Sequence, residues 1–271
     1  MGKKLKYPIV LIHGTGFRDR KHLNYWGRIP KVLSMNGAKI YYGGQDSWGT
    51  IEWNAEILKV NIVAILDKTG CDKVNLIAHS KGGLEARMLI SSLKMSERIA
   101  SLTTIATPHG GSKTIDLLLR LPKPLLKIAA FFTNLCFKIA GDKKPDFYGT
   151  IHEFGTVYMK KFNKDNPDAP HVYYQSYAAV MKNPFSDIFL FFTNLIINFI
   201  DGENDGLVTP DSATWTNFKG TLRSVGRCGI SHADEVDLRR MRFSKHTEDG
   251  KVSDITDVYL KIYMDLAELG F

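Results

Sequence analysis

The chain has 271 residues, of which 44% are hydrophobic and 24% charged, values that are ordinary for a globular protein and exclude disorder, collagen and coiled coil. Its length fits one large α/β domain with a sizeable core. The 36 Lys and Arg against 28 Asp and Glu give a net charge of +8, which favours anionic partners such as phospholipid surfaces, acidic polymers or nucleic acid.

Short strand-like runs alternate with longer helical patterns along the chain. This alternation predicts βαβ units and a sheet of about six mostly parallel strands flanked by helices. Gly37 and Gly70 are placed to end the first two helices as left-handed caps. In chain order the predicted elements are a strand at 7–13, a helix at 23–36, a strand at 38–42, a helix at 48–68, a strand at 73–78, a helix at 82–93, strands at 99–106 and 171–180, and a closing helix at 254–266.

Two apolar segments, 117–140 and 185–200, interrupt this alternation, and both contain the sequence Phe-Phe-Thr-Asn-Leu. Neither is predicted to span a membrane. The first segment contains several lysines. In the second, only thirteen residues separate Asp187 from Asp201, whereas a membrane span needs about 20. The shared sequence is as consistent with chance as with a repeat.

The three cysteines, Cys71, Cys136 and Cys228, form no CxxC pair, so neither a disulfide framework nor a zinc cage is predicted. The apolar stretch at 9–12 is too short for the core of a signal peptide. We therefore expect a cytoplasmic enzyme, although a secreted enzyme whose signal peptide had been removed would have the same sequence.

The motif Ala-His-Ser-Lys-Gly-Gly at 78–83 lies between a predicted strand and a predicted helix. This arrangement predicts a nucleophile elbow with Ser80 as the nucleophile and Ala in place of the first Gly of G-x-S-x-G. Small residues two positions on either side, Ala78 and Gly82, leave room for the strained turn. The helix amino terminus would direct its free N–H groups towards negative charge beside Ser80.

A serine nucleophile needs a histidine base, and a carboxylate must orient that histidine. In a fold with a nucleophile elbow of this kind, the three residues occur along the chain in the order serine, acid, histidine. Asp205, in a glycine-bounded turn, and His232, in a polar segment, occur in that order. His79 occupies the variable position of the elbow, and His109 more readily shapes a loop. The competing residues are Asp201, Glu203 and Asp211 for the acid and His171 and His246 for the base.

The loop His-Gly-Thr-Gly at 13–16 directly follows the first predicted strand, and its glycines let the backbone approach a substrate. We predict that the backbone N–H groups of Thr15 and Lys81 form the oxyanion hole.

Four segments, 7–14, 74–83, 204–208 and 232–236, resemble the bacterial triacylglycerol lipases and carboxylesterases of the α/β-hydrolase superfamily. Ala78 is similar to the AxSxG variant of Gram-positive lipases, and the middle of the chain is similar to clostridial lipases and esterases. The resemblance covers most of the chain. It implies a single α/β-hydrolase domain over 1–271 that cleaves carboxylic esters, often acylglycerols, without an organic cofactor.

The resemblance also implies a structural calcium ion with Asp234, two positions after His232, as one ligand. Leu238 stands at the family's glutamine position, and the sequence identifies no second aspartate. No zinc is expected, because the insertion that binds zinc in some thermophilic relatives is not visible between Gly49 and Ala78.

The resemblance further implies that the two apolar segments belong to a helical cap between nucleophile and acid, at about 112–150 and 183–200, although two merely buried helices are the alternative. Lysines beside the first segment would bring the protein to an anionic membrane or lipid droplet, or equally form a solvated face. No nucleic-acid partner is expected, because the basic residues are scattered and no recognition motif is found.

The predicted reaction is hydrolysis of a lipid or small-molecule ester through an acyl-enzyme at Ser80. A phospholipase, thioesterase or acyltransferase with the same three residues is the first alternative, and a non-catalytic lipid-binding protein is the second.

Overall fold

The computed structural model describes residues 3–19 and 24–271. In these residues six strands form one sheet in the order β2-β1-β3-β4-β5-β6, and every neighbouring pair is parallel. The predicted parallel sheet is therefore confirmed. The strands are β1 (Ile9–Ile12), β2 (Ile40–Tyr42), β3 (Val74–His79), β4 (Ile99–Ile105), β5 (Tyr173–Ala179) and β6 (Phe218–Leu222).

The strand order reverses at β1, since the chain passes from β1 to β2 on one side and then returns to β3 on the other. In open parallel sheets, ligands bind at the carboxyl ends of the strands beside such a reversal. The helices are α1 (Ile29–Met35), α2 (Ile51–Thr69), α3 (Lys81–Ile90), α4 (Lys113–Leu118), α5 (Lys123–Ile139), α6 (Phe147–Glu153), α7 (Thr156–Asp165), α8 (Phe191–Ile200), α9 (Pro210–Ala213) and α10 (Ile255–Glu268).

Hydrophobic side chains fill both faces of the sheet. On one face, α2 and α3 contribute Leu58 and Leu89 to a cluster with Leu76 of β3. On the other face, α1 and α10 pack against β1, β3 and β4. Burial on both faces explains why β1, β3 and β4 consist of consecutive buried residues rather than an alternating pattern.

Several elements differ from the prediction, and two of them, α7 and α9, lie where the sequence predicted no helix. Strand β6 has no predicted counterpart, because it is a partly exposed edge strand that contains Gly220 and lacks an apolar run. Helix α1 begins at Ile29, with Pro30 in its first turn; Leu23, where the sequence predicts its start, lies outside the described residues. The apolar segment 117–140 divides into α4 and α5 around Pro122, because proline is tolerated at a helix start but not in a helix interior.

Helices α5 and α8, which contain most of the two apolar segments, keep much of their apolar surface in contact with solvent. Phe131 and Phe132 of α5 and Phe192 and Phe199 of α8 are all exposed. Throughout residues 3–19 and 24–271, no helix combines the length and the apolarity required to cross a bilayer.

A buried carboxyl group joins α6 to the amino terminus of α2. Both oxygens of Glu153 accept a hydrogen bond from the Ile51 N–H at 3.0 Å, while the Thr50 hydroxyl caps the same helix by accepting from the Trp53 N–H. Burial raises the pKa of Glu153 from 4.5 to about 7, although Lys81 opposes the shift. The folded protein therefore binds a proton at Glu153 at pH values where the unfolded chain has released it.

We predict that the stability of the wild-type protein, relative to Glu153→Gln, falls as the pH rises from about 4.5 to 7, because the folded state binds more protons than the unfolded state in that interval. Urea unfolding of both proteins across this range measures the difference. A difference that is independent of pH, or that grows towards neutral pH, would contradict the assignment.

Candidate active site

Ser80 occupies the turn between β3 and α3. Its φ of 54° and ψ of −132° lie outside the ordinary regions for a residue with a side chain, as expected for a nucleophile elbow. The Ser80 N–H donates to the Ile105 carbonyl at 2.9 Å, and its carbonyl accepts from the Thr107 hydroxyl at 2.8 Å. These bonds hold the strained turn at the carboxyl edge of the sheet.

The loop after β1 lies against this elbow and requires glycine there. A Cβ atom added to Gly14 would lie 2.7 Å from the Ser80 Cβ and 3.3 Å from its Oγ. A Cβ at Gly82 would lie 2.5 Å from the His13 carbonyl oxygen, so the small residue predicted after the serine is required by the packing. The next residue of the loop, Thr15, is therefore close to the nucleophile.

Lys81 supplies the second predicted oxyanion donor from the first position of α3, where the backbone N–H has no acceptor within the helix. Its side chain is buried and engaged elsewhere: the ammonium donates to the Gly49 carbonyl and forms an ion pair of 2.7 Å with Glu85. The Lys81 ammonium is therefore bound away from the site, and its backbone N–H remains the predicted oxyanion donor.

The structure brings Asp205 and His232 together. His232 Nδ1 lies 2.7 Å from Asp205 Oδ2, and both side chains are buried. Asp205 Oδ1 accepts from the N–H groups of Leu207 and Val208 at 2.8 and 2.7 Å, and the His232 N–H donates to the Asp205 carbonyl at 2.8 Å. Because a carboxylate accepts at Nδ1, that nitrogen carries the proton and Nε2 is the basic atom.

Ser80 and His232 meet at the same place in the fold. The His232 ring lies 4.4 Å from that of His79, the residue before Ser80, measured between centroids. In the part of the chain that the structure describes, no hydrogen bond joins Ser80 Oγ to His232. Such bonds often shorten only in the complex with substrate.

The competing residues identified in the sequence lie in other environments. Asp201 accepts hydrogen bonds from the N–H and hydroxyl of Thr114, both at 3.2 Å. His109 is buried between Arg87 and Thr104, at 3.1 Å from each, consistent with a structural role. The remaining candidates are exposed to solvent: Glu203, Asp211, His171 and His246.

A cavity of about 390 Å³ opens beside His232. Thr15 and His232 lie in its wall, and most of the other lining side chains are apolar, which suits an acyl chain. The lining residues are Thr15, Phe17, Tyr25, Asp187, Phe189, Leu190, Leu207, His232, Ala233, Val236, Leu238 and Arg239.

A buried hydrogen-bonded chain that the sequence analysis did not identify runs behind these residues. The Gly14 N–H donates to the Tyr25 hydroxyl at 3.2 Å, and that hydroxyl lies 2.6 Å from His79 Nδ1. His79 Nε2 lies 2.9 Å from Glu235 Oε2, which is itself 3.7 Å from His232 Nδ1. The chain thus connects the predicted oxyanion loop to the predicted base.

The surroundings of Glu235 favour its neutral form. Burial raises the pKa of Glu235 well above its ordinary value, and the neighbouring Asp205 carboxylate raises it further. Burial likewise holds the pKa of His79 well below its ordinary value. Among the described residues, Glu235 Oε1 is buried without a hydrogen-bond partner, which suits the uncharged form of the carboxyl group. The one feature of the sequence that could have placed Glu235 in this site is its position, three residues after His232.

Comparison with known proteins identifies the family. No family model matches the chain. Triacylglycerol lipase 2 of Saccharomyces cerevisiae is 32% identical over 272 residues, an alignment that covers 93% of this chain and 78% of the yeast protein. The chain belongs to the triacylglycerol lipase family.

Solved structures of lipases share the fold of this family member. Staphylococcus hyicus lipase matches with a TM-score of 0.74 at 17% identity, covering 99% of this chain and 98% of the other. Bacillus licheniformis lipase BlEst2 in mature form matches with a TM-score of 0.68 at 20% identity, covering 98% and 94%. The predicted resemblance to lipases and esterases with an α/β-hydrolase fold is confirmed.

Two groups of side chains near the candidate active site have ligand types that suit a metal ion. Ligand atoms of His79, His232 and Glu235 lie within 4.8 Å of one another, but the hydrogen bonds to Tyr25 and Asp205 already engage both imidazoles. Asp234, which the resemblance implies as a calcium ligand, lies in the turn after His232. Both of its carboxylate oxygens accept hydrogen bonds from the Arg239 guanidinium, so this donor set in its present arrangement does not fit calcium.

We predict that Glu235→Gln, which keeps the shape of a neutral carboxyl group, retains most of the wild-type kcat/KM for a soluble p-nitrophenyl ester. Glu235→Leu should lose about tenfold or more, because it leaves His79 Nε2 without a partner and shifts the groups beside His232, and slight misplacement of a catalytic group can cost up to about 100-fold. If the Gln variant loses as much activity as the Leu variant, Glu235 acts as a charged group.

Proposed function

We propose that this protein hydrolyses carboxylic esters of lipids, such as acylglycerols, through an acyl-enzyme formed at Ser80. The protein is a carboxylic ester hydrolase by family. The observation that carries the assignment of residues is the buried contact between Asp205 and His232 beside the strained turn at Ser80. An acid, a base and a nucleophile in this arrangement suit acyl transfer.

In the first half of the reaction, His232 Nε2 accepts the proton of Ser80 Oγ as this oxygen bonds to the ester carbonyl carbon. The carbonyl oxygen becomes an oxyanion, which the N–H groups of Thr15 and Lys81 stabilise. When the intermediate collapses, the ester C–O bond breaks and His232 transfers its proton to the leaving alcohol. Asp205 stabilises the imidazolium throughout.

In the second half, His232 removes a proton from water as the water oxygen attacks the acyl-enzyme carbonyl. Collapse of this intermediate breaks the bond to Ser80 Oγ, which recovers its proton from His232, and the carboxylic acid leaves. The fixed position of Asp205, held by the backbone N–H groups of Leu207 and Val208, keeps the same imidazole nitrogen available for both halves.

We predict that Ser80→Ala abolishes p-nitrophenyl ester turnover and labelling by a fluorophosphonate without changing the thermal unfolding temperature. Asp205→Asn should lower kcat by about 10⁴, because an asparagine favours the wrong histidine tautomer. His246→Ala, which changes an exposed histidine, is the control and should retain wild-type turnover. Persistent turnover by purified Ser80→Ala protein would refute the proposal.

The exposed apolar surface beside the cavity favours a lipid aggregate as the source of substrate. Phe189 and Leu190 line the cavity and directly precede α8, whose residue Phe199 is 92% exposed; Phe189 itself is 93% exposed. An apolar surface at the entrance of an apolar cavity suits attachment to lipid, and lysines near α5 suit an anionic one. These exposed lysines are Lys123, Lys127, Lys143 and Lys144.

We predict that the double variant Phe192→Ser and Phe199→Ser binds anionic vesicles less tightly than wild type and hydrolyses emulsified triacylglycerol more slowly. Its kcat/KM for a soluble short-chain ester should be unchanged, because neither residue lines the cavity. Met35→Ser removes an exposed apolar side chain from α1 and serves as the control. Equal losses on the soluble and the emulsified substrate would contradict a surface-binding role.

A further inference from the structure

The turn that follows the predicted base is organised by Asp234. Its N–H donates to the Ser231 carbonyl at 2.9 Å, and its Oδ2 accepts from the Ser231 N–H at 3.1 Å and from the Ser231 hydroxyl at 3.0 Å. His232 lies inside this turn, between the two residues that these bonds connect. The hydrogen bonds of the Asp234 carboxylate therefore fix the backbone of this turn, and the backbone in turn sets the position of the His232 imidazole.

The guanidinium of Arg239 binds that carboxylate through two donors. Its Nε donates to Asp234 Oδ1 at 2.7 Å, and its Nη2 donates to Asp234 Oδ2. Its third nitrogen, Nη1, donates to the Ser186 carbonyl at 3.0 Å. The paired geometry is the strongest form of contact between arginine and a carboxylate, and the hydrogen bond to Asp234 raises the pKa of Arg239.

A second buried carboxylate completes the surroundings of Arg239. Asp187 Oδ2 lies 2.9 Å from the Ser231 hydroxyl, whose single proton is shared between this oxygen and Asp234 Oδ2, and Asp187 Oδ1 accepts from the Phe189 N–H at 3.1 Å. Asp187 lies in the segment that leads into α8. Arg239 therefore holds positive charge between two elements, the turn that contains His232 and the segment before α8.

This group of oxygens resembles the donor set of a cation site, because calcium binds carboxylate and carbonyl oxygens, usually six to eight of them, at about 2.3–2.6 Å. The arginine already donates to both oxygens of Asp234 and to the Ser186 carbonyl. A calcium ion would have to displace a paired guanidinium that is covalently attached to the same turn.

We propose that Arg239 is a built-in cation that takes the place of a structural calcium ion. It joins the turn containing His232 to the segment before α8, so that the position of the base does not depend on metal. The part of this inference that concerns catalysis rests on the proposed role of His232. The part that concerns metal binding stands on the contacts of Asp234 and Asp187 alone.

The first test uses the wild-type protein. Thermal unfolding and ester hydrolysis are measured after treatment with EDTA and again with millimolar calcium, and calcium binding is measured by calorimetry. We expect the same unfolding temperature and kcat under both conditions and no calorimetric binding. A rise in unfolding temperature with calcium, or loss of activity in EDTA that calcium restores, would overturn the proposal.

The second test uses Arg239→Ala, with Arg223→Ala as the control because Arg223 forms an exposed pair with Glu203. We expect a lower unfolding temperature for Arg239→Ala than for the control, and a fall in kcat of up to about 100-fold, the effect of slightly misplacing a catalytic group. Calcium should raise the unfolding temperature of Arg239→Ala and leave that of wild type unchanged.

If Arg239→Ala matches Arg223→Ala in unfolding temperature and kcat, or if calcium does not stabilise it, the proposal fails. The unfolding and calorimetric measurements do not require turnover. They therefore remain decisive even if Ser80→Ala shows that the assignment of the nucleophile is wrong. Should Arg239→Ala not fold, the wild-type comparison in EDTA and calcium still decides whether the protein has a calcium site.

Discussion

The buried hydrogen bond between His232 Nδ1 and Asp205 Oδ2 is the interaction on which the rest of the site depends. Two backbone N–H groups hold the other oxygen of Asp205, and the backbone of His232 is bonded to Asp205 as well. Burial and the Asp205 carboxylate raise the pKa of Glu235 and so favour its neutral form. The contacts around this pair thus fix one histidine tautomer without leaving two adjacent negative charges buried.

The topology of the sheet supplies the partners of this pair from distant parts of the chain. Strand order reverses at β1, so the loop after β1 and the turn after β3 leave the same edge of the sheet side by side. Glycine at position 14 lets them touch, which brings Thr15 next to Ser80. Tyr25 and His79 then connect this loop by hydrogen bonds to Glu235, which lies 3.7 Å from Nδ1 of the predicted base, His232.

The sequence predicted those features whose causes are local. The elbow at Ser80 depends on small neighbours within two residues, and the buried strands β1, β3 and β4 are continuous apolar runs. The acid and base Asp205 and His232, which are distant in sequence, were predicted from their order along the chain, but two features that depend on burial were not: β6 is an edge strand without an apolar run, and Glu235 acquires its raised pKa only from its surroundings. No sequence motif indicates that Arg239 pairs with Asp234, because the sequence alone does not show which carboxylate an arginine contacts in the fold.

The most direct test of the account is a crystal structure of the protein after reaction with a long-chain alkylphosphonate p-nitrophenyl ester. We expect phosphorus bonded to Ser80 Oγ, His232 Nε2 within hydrogen-bonding distance of that oxygen, and the phosphonyl oxygen facing the N–H groups of Thr15 and Lys81. The alkyl chain should lie in the apolar cavity beside Phe189. Phosphorus on another residue, or an adduct in which the His232 imidazole points away from Ser80, would contradict it.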